Sequence, residues 1–366
     1  MKFRKRLWLL SLCLAPFATA PTIAAEFQRA LPGRTFGFPQ DHYSHPEYQT
    51  EWWYYTGHLK SRDGRSFGYQ LTFFRTALKQ KGTEESRWAL STIFFAHFAL
   101  TDEDRKTFTF KEKISRGALG QAGAATDRLR VWVEDWSLKG EGKDHLLEAR
   151  DPSLGIRFRL TPLKPPVVNG LDGVSQKAEG EGYASHYYSI TRMSTRGDLT
   201  LNGKTFEVEG LSWMDHEFGS SQLRDYQVGW DWFSLQLENN TELMLYVIRQ
   251  EDGKPDPNSS GTLTFADGTS QHFRLEEFDI QVLKEWKSRK TGALYPSRWR
   301  IRIPSSRIEL TVIPAVPDQE LTTQESTRVT YWEGSVRVRG RYEGEAVSGV
   351  GYVELTGYAE PFGKGL

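Results

Sequence analysis

From about residue 35 onward, short runs rich in Val, Ile, Thr and aromatic residues alternate with turns containing Gly, Asp and Asn. That alternation is the pattern of antiparallel β-structure. Residues 51–59 and 67–76 flank Ser61-Arg62-Asp63-Gly64, whose Asp-Gly pair signals a hairpin. Residues 96–100 and 107–110 flank an Asp-Glu-Asp-Arg turn, and runs at 129–136, 156–161, 187–191 and 199–201 continue the series. Helical spacing is weak, with candidates only at 112–119 and 275–286. Many strands at short intervals predict an all-β chain of barrels or sandwiches.

A faint repeat runs through this pattern. Trp52-Trp53-Tyr54-Tyr55-Thr56-Gly57-His58-Leu59 can be laid on Trp230-Asp231-Trp232-Phe233-Ser234-Leu235-Gln236-Leu237. A hairpin then leads to residues 69–75 in the first half and 243–249 in the second, followed by further turns at Asp102 and at Asp267-Gly268. Duplication predicts two similar β-domains meeting near residues 215–230, with bounds at 26–218 and 219–366. The Pro/Gly-rich stretch 162–182 reads as a long loop of the first domain, placed to act as a lid.

The first 25 residues follow another rule. Lys2, Arg4, Lys5 and Arg6 precede an apolar run at 7–20, and small residues lead to Ala24-Ala25. This is the pattern of a cleavable secretory signal peptide, too short for a comfortable membrane span, and predicts a periplasmic or secreted protein. The one cysteine, Cys13, lies inside it. A mature chain therefore has no disulfide, no thiol nucleophile and no Cys-ligated metal.

Composition narrows the partners. The 366 residues carry 47 Lys+Arg against 47 Asp+Glu and no basic block, which argues against nucleic acid. With 12 Trp, 15 Tyr and 21 Phe, the chain has many rings to place in cores, cavities or interfaces.

Familiar chemistries are missing. There is no G-x-S-x-G elbow, no phosphate-cradling or dinucleotide glycine loop, and no H-E-x-x-H; His42 and His45 sit in a Pro-flanked turn. No cofactor or metal is expected, and a metal site would need distant His and carboxylate residues that spacing does not reveal. What remains is residues 210–222, where Asp215, His216 and Glu217 stand between Trp213 and Phe218. If extended, Trp213, Asp215 and Glu217 face one way and Met214, His216 and Phe218 the other. Upstream, His186 and Tyr188 share one strand face. A charged turn with Trp213 and Phe218 as core anchors fits this spacing; so does a carboxyl in an aromatic pocket, raised by burial and lowered by a nearby charged His186. Trp53 and Tyr55 share one face of the 51–59 strand, opposite Trp52 and Tyr54, and either pair can pack the core or line a cavity. Trp230 and Trp232 carry the same ambiguity, with Asp231 turned away.

Several segments together resemble a family: Glu51-Trp52-Trp53-Tyr54, Thr72-Phe73-Phe74-Arg75, Ala96-His97-Phe98, Tyr187-Tyr188-Ser189, residues 213–219 and Gly229-Trp230-Asp231-Trp232. Their order is similar to that of the hydroxyneurosporene synthase/AttH group, which includes carotenoid 1,2-hydratases, and the likeness spans residues 38–357. The resemblance implies two tandem lipocalin-like antiparallel β-barrels. The group holds polyene hydratases, plant-metabolite hydratases, fungal proteins that promote cycloadditions, and exported members often called predicted secreted hydrolases, so fold does not fix function. In the hydratases an aspartic acid protonates a C=C bond and water captures the cation. The resemblance puts Asp215 at the acid, with His186 beside it in the catalytic set. It puts Tyr188, Trp213, Trp53, Tyr55, Trp230 and Trp232 on substrate-binding positions. The expectation is an exported protein binding a long apolar ligand, isoprenoid or lipid, with hydro-lyase chemistry if it is active. The AttH name suggests the alternative of a ligand-binding accessory to the permease of an envelope ABC transporter.

Overall fold

The computed structural model describes residues 26–78, 91–221 and 223–362. The leader at 1–25, with Cys13, lies outside the described residues. The first sheet contains β1 (Thr50–Ser61), β2 (Ser66–Ala77), β3 (Thr92–Asp102), β4 (Thr107–Arg116), β5 (Ala122–Ala124), β6 (Arg130–Val133) and β7 (Trp136–Glu141). It continues with β8 (Asp144–Arg150), β9 (Leu154–Pro162), β10 (Val167–Val168), β11 (Ser175–Gln176), β12 (Ala184–Leu201) and β13 (Lys204–Ser221). The second holds β14 (Gln227–Leu237), β15 (Glu242–Gln250), β16 (Ser260–Thr264), β17 (Ser270–Arg274) and β18 (Asp279–Lys287). It ends with β19 (Leu294–Ile303), β20 (Ile308–Pro314), β21 (Glu320–Thr322), β22 (Thr330–Tyr342) and β23 (Glu345–Leu355).

The two sheets follow one path. In the first the order is β4-β3-β2-β1-β13-β12-β9-β8-β7-β6-β5; in the second it is β17-β16-β15-β14-β23-β22-β20-β19-β18. The strand carrying Trp52 and the strand carrying Trp230 occupy the same place, each between its hairpin partner and the last strand of its sheet. Each sheet curls around its own apolar core; in the first, β4 comes round to touch β6. These are two tandem lipocalin-like barrels.

Burial patterns show how they are joined. On β8, His145, Leu147 and Ala149 are buried while Leu146 and Glu148 are half-buried and Arg150 is exposed, as expected of a wall with one wet face. Along β1, β12 and β13 burial instead becomes nearly continuous through residues 53–57, 184–193 and 212–219. The outer face there meets the second barrel. Asn202 and Gly203, both at positive φ, make the two-residue turn that launches β13 back along β12.

Polar pairs set the docking. Gln236 Nε2 donates to the carbonyls of Thr191 (2.7 Å) and Ser212 (3.0 Å). Fully buried Glu242 takes Arg192 Nε at 2.5 Å and Lys164 Nζ at 2.8 Å. Lys164 thus straps the 162–182 segment to the second barrel, while β10 and β11 pair with β12. Gly68 permits a close approach: a Cβ there would lie 2.6 Å from both Ser335 Cβ and the Tyr352 hydroxyl. Gly68→Ala is expected to cost about 1–3 kcal/mol by overpacking, read as a lower midpoint in urea denaturation; an unchanged midpoint would mean that the barrels yield there freely.

The two helix candidates are corrected. Residues 112–116 belong to β4 and 279–287 to β18, with only a 3₁₀ turn at Leu275–Glu277. Both strands are held by ladders, to β3 and, with a bulge around Leu283, to β19, which override a weak local preference.

Candidate functional site

β13 carries two different sets of chemistry on its two faces. Because side chains alternate, Trp213, Asp215 and Glu217 point to the second barrel, and Met214, His216 and Phe218 point into the first. The register with β1 sets Tyr54 opposite Asp215 and Trp53 opposite His216.

Between the barrels, Asp215 is 4% exposed. Its Oδ1 accepts from Ser189 Oγ (2.5 Å) and Trp213 Nε1 (2.7 Å), and its Oδ2 accepts from the Tyr187 hydroxyl (2.7 Å). Trp232 Nε1 donates to that same hydroxyl at 3.1 Å. Burial pushes the carboxyl up to about 7; the three donors pull it back, and Glu217 adds to the rise. The second barrel contributes two more carboxyls. Glu333 and Glu354 stand directly opposite each other on β22 and β23, and Trp230 Nε1 donates to Glu354 at 3.1 Å. Burial raises both, Glu354 to about 7 and Glu333 well above the carboxylate range, with the facing Glu354 adding to the latter. Around them pack Tyr54, Tyr187, Trp213, Trp232, Tyr246 and Tyr352. Lys177, 3.1 Å from Glu217 and 4.2 Å from the Tyr246 ring centroid, is the cation of this region.

Inside the first barrel lies the second set. Glu51, fully buried, accepts from Arg75 Nε (3.0 Å), Ser44 Oγ (2.8 Å), His216 Nε2 (2.9 Å) and His45 Nδ1 (2.9 Å). Burial opposes its charge, but His216, His45 and Arg75 outweigh that and hold it well below its usual value. His45 bridges Glu51 and Asp41, whose hydrogen bonds raise it against its own desolvation. A chain of contacts continues from His216 through the Tyr188 hydroxyl (3.1 Å) to His42 (2.7 Å). Burial lowers His42 to about 4 and His145, bonded to the Tyr55 hydroxyl at 2.8 Å, to about 3. His45, Glu51 and His216 bring three ligand atoms within 4.8 Å of one another, the one group among the described residues shaped for a cation. Its spacings are those of hydrogen bonds, and Arg75 already matches Glu51. A divalent ion would add charge to a sealed site, so the cluster suits an ion pair better.

The sequence-predicted residues therefore divide. Trp213, Trp230 and Trp232 gather with Asp215 between the barrels; Tyr188, Trp53 and Tyr55 lie inside the first barrel. His186 does not reach Asp215. It lies on the other face of β12, its Nδ1 on the Gly173 carbonyl at 2.7 Å, and burial lowers it to about 4. The proton-holding neighbours of Asp215 are Tyr187 and Ser189, one step out of register from the pair read as its partners. Glu333 and Glu354 escaped sequence reading because they come from the other barrel.

Open volume is distributed unevenly. A cleft of about 760 Å³ lies on the outer wall of the first barrel, lined by Arg62, Arg157, Arg159, Glu148, Glu207, Glu209 and others. It is charged, and it borders the far end of β13, some six residues from Asp215 or about 20 Å along the strand. Between the barrels, next to Trp213, lies a void of about 10 Å³, lined by Thr56, His58, Trp213, Ser234, Gln236 and Tyr352 among others. That is room for one water at most.

The chain is thus a pair of lipocalin-like barrels docked through a carboxyl-bearing wall. The chain belongs to the AttH-like family, whose profile it matches over residues 29–358. The crystal structure of an AttH protein from Nitrosomonas europaea is similar over 91% of this chain and 100% of its own, at 32% identity and TM-score 0.83. Kievitone hydratase from Nectria haematococca shares the fold at TM-score 0.67 and 15% identity, over 92% and 99% of the two chains. CghA, crystallised with Sch210972, shares it at TM-score 0.53 and 12% identity, over 89% and 94%. No curated sequence is significantly similar to the chain.

Proposed function

We propose that the protein is a hydro-lyase of the hydratase type that protonates a C=C bond of a long apolar substrate, isoprenoid or lipid, from Asp215. The observation that carries this reading is the Asp215 carboxyl, buried and fixed by Ser189, Trp213 and Tyr187, with burial pushing it up to about 7. Such a group holds a proton near neutral pH and can give it up. Trp213, Trp232 and Tyr54 surround it, and their ring faces favour a developing carbocation. Trp52, Leu223 and Trp230, half-buried at the rim of this cluster, form the apolar approach between the barrels. Because Asp215 is buried and the void next to Trp213 is so small, an apolar chain enters by displacing these rim side chains. The basic and apolar leader supports action outside the cytoplasm.

A second reading fits the same aromatic cluster: a non-catalytic carrier of an apolar ligand, serving the permease of an envelope ABC transporter. Mass spectrometry of organic extracts from the natively expressed wild type and Asp215→Asn separates the two. A hydrated lipid on the wild type, with its unsaturated precursor held by the variant, is the expected result. The same unmodified ligand on both would instead establish the carrier. Extracts free of ligand from both proteins would count against either.

A further inference from the structure

Three buried side-chain oxygens on the facing walls of the barrels make no hydrogen bond of ordinary geometry, Tyr54 Oη, Gln70 Oε1 and Glu333 Oε1, and the Tyr54 hydroxyl and the Glu333 carboxyl interact with each other. Register places them together. On β2 and β22 the contacts run in step. Arg337 meets Glu103, whose N–H is bonded to the Ser66 carbonyl; Ser335 lies against Gly68; and the Tyr331 hydroxyl bonds His97, the partner of Thr72. Alternation then sets Glu333 opposite Gln70. Tyr54 pairs with Thr72 on one side and Asp215 on the other, and Glu333 influences the Tyr54 hydroxyl directly. One hydroxyl that can donate, one amide oxygen that only accepts and one carboxyl oxygen are a complementary set for a single water. Buried waters typically make about three such bonds.

We infer that Tyr54, Gln70 and Glu333 hold the water that adds to the substrate, and that the Glu333–Glu354 pair is the base that takes its proton. This rests on the hydratase reading of the Asp215 site. Asp215 gives its proton to one alkene carbon, the π pair forming the new C–H bond and leaving a cation on the other carbon. The oxygen of the held water forms a C–O bond to that cation, its O–H bond breaks, and the proton passes to the Glu333–Glu354 pair, Glu333 handing its own proton to the Glu354 carboxylate as it accepts the new one. Return of one proton to Asp215 completes the cycle, so the sum is alkene plus water to alcohol, with no oxidant or reductant. Glu354, opposite Glu333, gives the base a partner with which to share a proton, so that one carboxylate of the pair stays free to accept. The arrangement puts acid and base on different barrels, facing across the substrate path.

Two experiments test this, on the full chain. A high-resolution crystal structure of the wild type is expected to show an ordered water within hydrogen-bond reach of Tyr54 Oη, Gln70 Oε1 and Glu333 Oε1. A dry site, closed by a direct Tyr54–Glu333 bond or otherwise, overturns the proposal whatever the activity. The second uses squalene and lycopene as probes in D₂O, following both alcohol formation and deuterium exchange into recovered alkene. Glu333→Gln is expected to keep exchange while alcohol formation falls on the order of 10²-fold or more; Asp215→Asn loses both. Tyr54→Phe, which keeps the ring, is expected to lower the ratio of alcohol to exchange and serves if Glu333→Gln does not fold. Alcohol formed by Glu333→Gln at the wild-type rate overturns the base assignment. A wild type that neither exchanges nor hydrates the probes refutes the hydratase reading and the base with it; the water site is then judged by the crystal alone.

Discussion

Asp215→Asn is expected to lower hydration turnover by about 10²–10⁴-fold, and to change the pH dependence of stability in a way that a merely structural residue would not. The folded carboxyl is raised from 3.8 to about 7 by burial. Between those values the folded state holds a proton that the unfolded chain has released, so wild-type stability falls as pH rises through this window. The loss is complete above about pH 7 and amounts to roughly 4 kcal/mol, at about 1.4 kcal/mol for each pH interval of one across the window. Asparagine carries no such proton. Urea denaturation at about pH 4 and about pH 8 should therefore show the variant gaining on the wild type by several kcal/mol at the higher value. Turnover of the wild type should hold across most of this window and fall as pH rises through about 7, where the folded acid form is lost. A difference between the proteins that does not change with pH would mean that Asp215 is ionised throughout, and the acid role would be lost with it.

The other large effect belongs inside the first barrel. Glu51 is fully buried and ties Arg75, His45, His216 and Ser44 into one network. Glu51→Ala leaves the Arg75 guanidinium in the barrel without its counter-charge and removes one of the two carboxylates bonded to His45. Breaking a buried ion pair from one side costs about 3–5 kcal/mol, read as a lower urea midpoint at unchanged slope. Arg75 keeps its bonds to the carbonyls of His45 (2.9 Å) and Tyr48 (2.7 Å), so part of the network survives. Glu51→Ala combined with Arg75→Met should recover some of the loss, since the orphaned cation is the greater penalty. A single variant within about 1 kcal/mol of wild type would show that water reaches this interior and solvates what Glu51 now pairs.

Alternation along the chain carries much of this architecture. Strict period-two reading of residues 213–218 sorts Asp215 from His216 onto opposite faces, as found, and the Trp52/Trp230 correspondence anticipates two barrels with one strand order. Period two also explains the misplacement of His186. Nearness of chemistry links it to Asp215, yet its register partner is Phe218, and Asp215 pairs with Ser189. The hydroxyls of Tyr187 and Ser189 are within reach of the same rule. Glu333 and Glu354 are not: they lie more than a hundred residues beyond Asp215, and only docking of a second barrel brings them near. The Glu51 network is hidden for a similar reason. His45 reaches it from the segment before β1, and His216 from the last strand of the sheet. The strands at 112–116 and 279–287 show the reverse failure, where local spacing suggests a helix and a neighbouring ladder decides otherwise.

The close approach at Gly68 has a consequence for when the acid exists at all. Asp215, Glu333 and Glu354 owe their reluctance to ionise first to the exclusion of solvent by the opposing barrel. Part the barrels, and water would return all three toward ordinary acidity, releasing protons as the gap fills. The proton donor is thus created by contact between the halves and extinguished by their separation. A protein opened too far to admit a substrate would disarm itself, and one that closed around an apolar chain would rearm as the last water left.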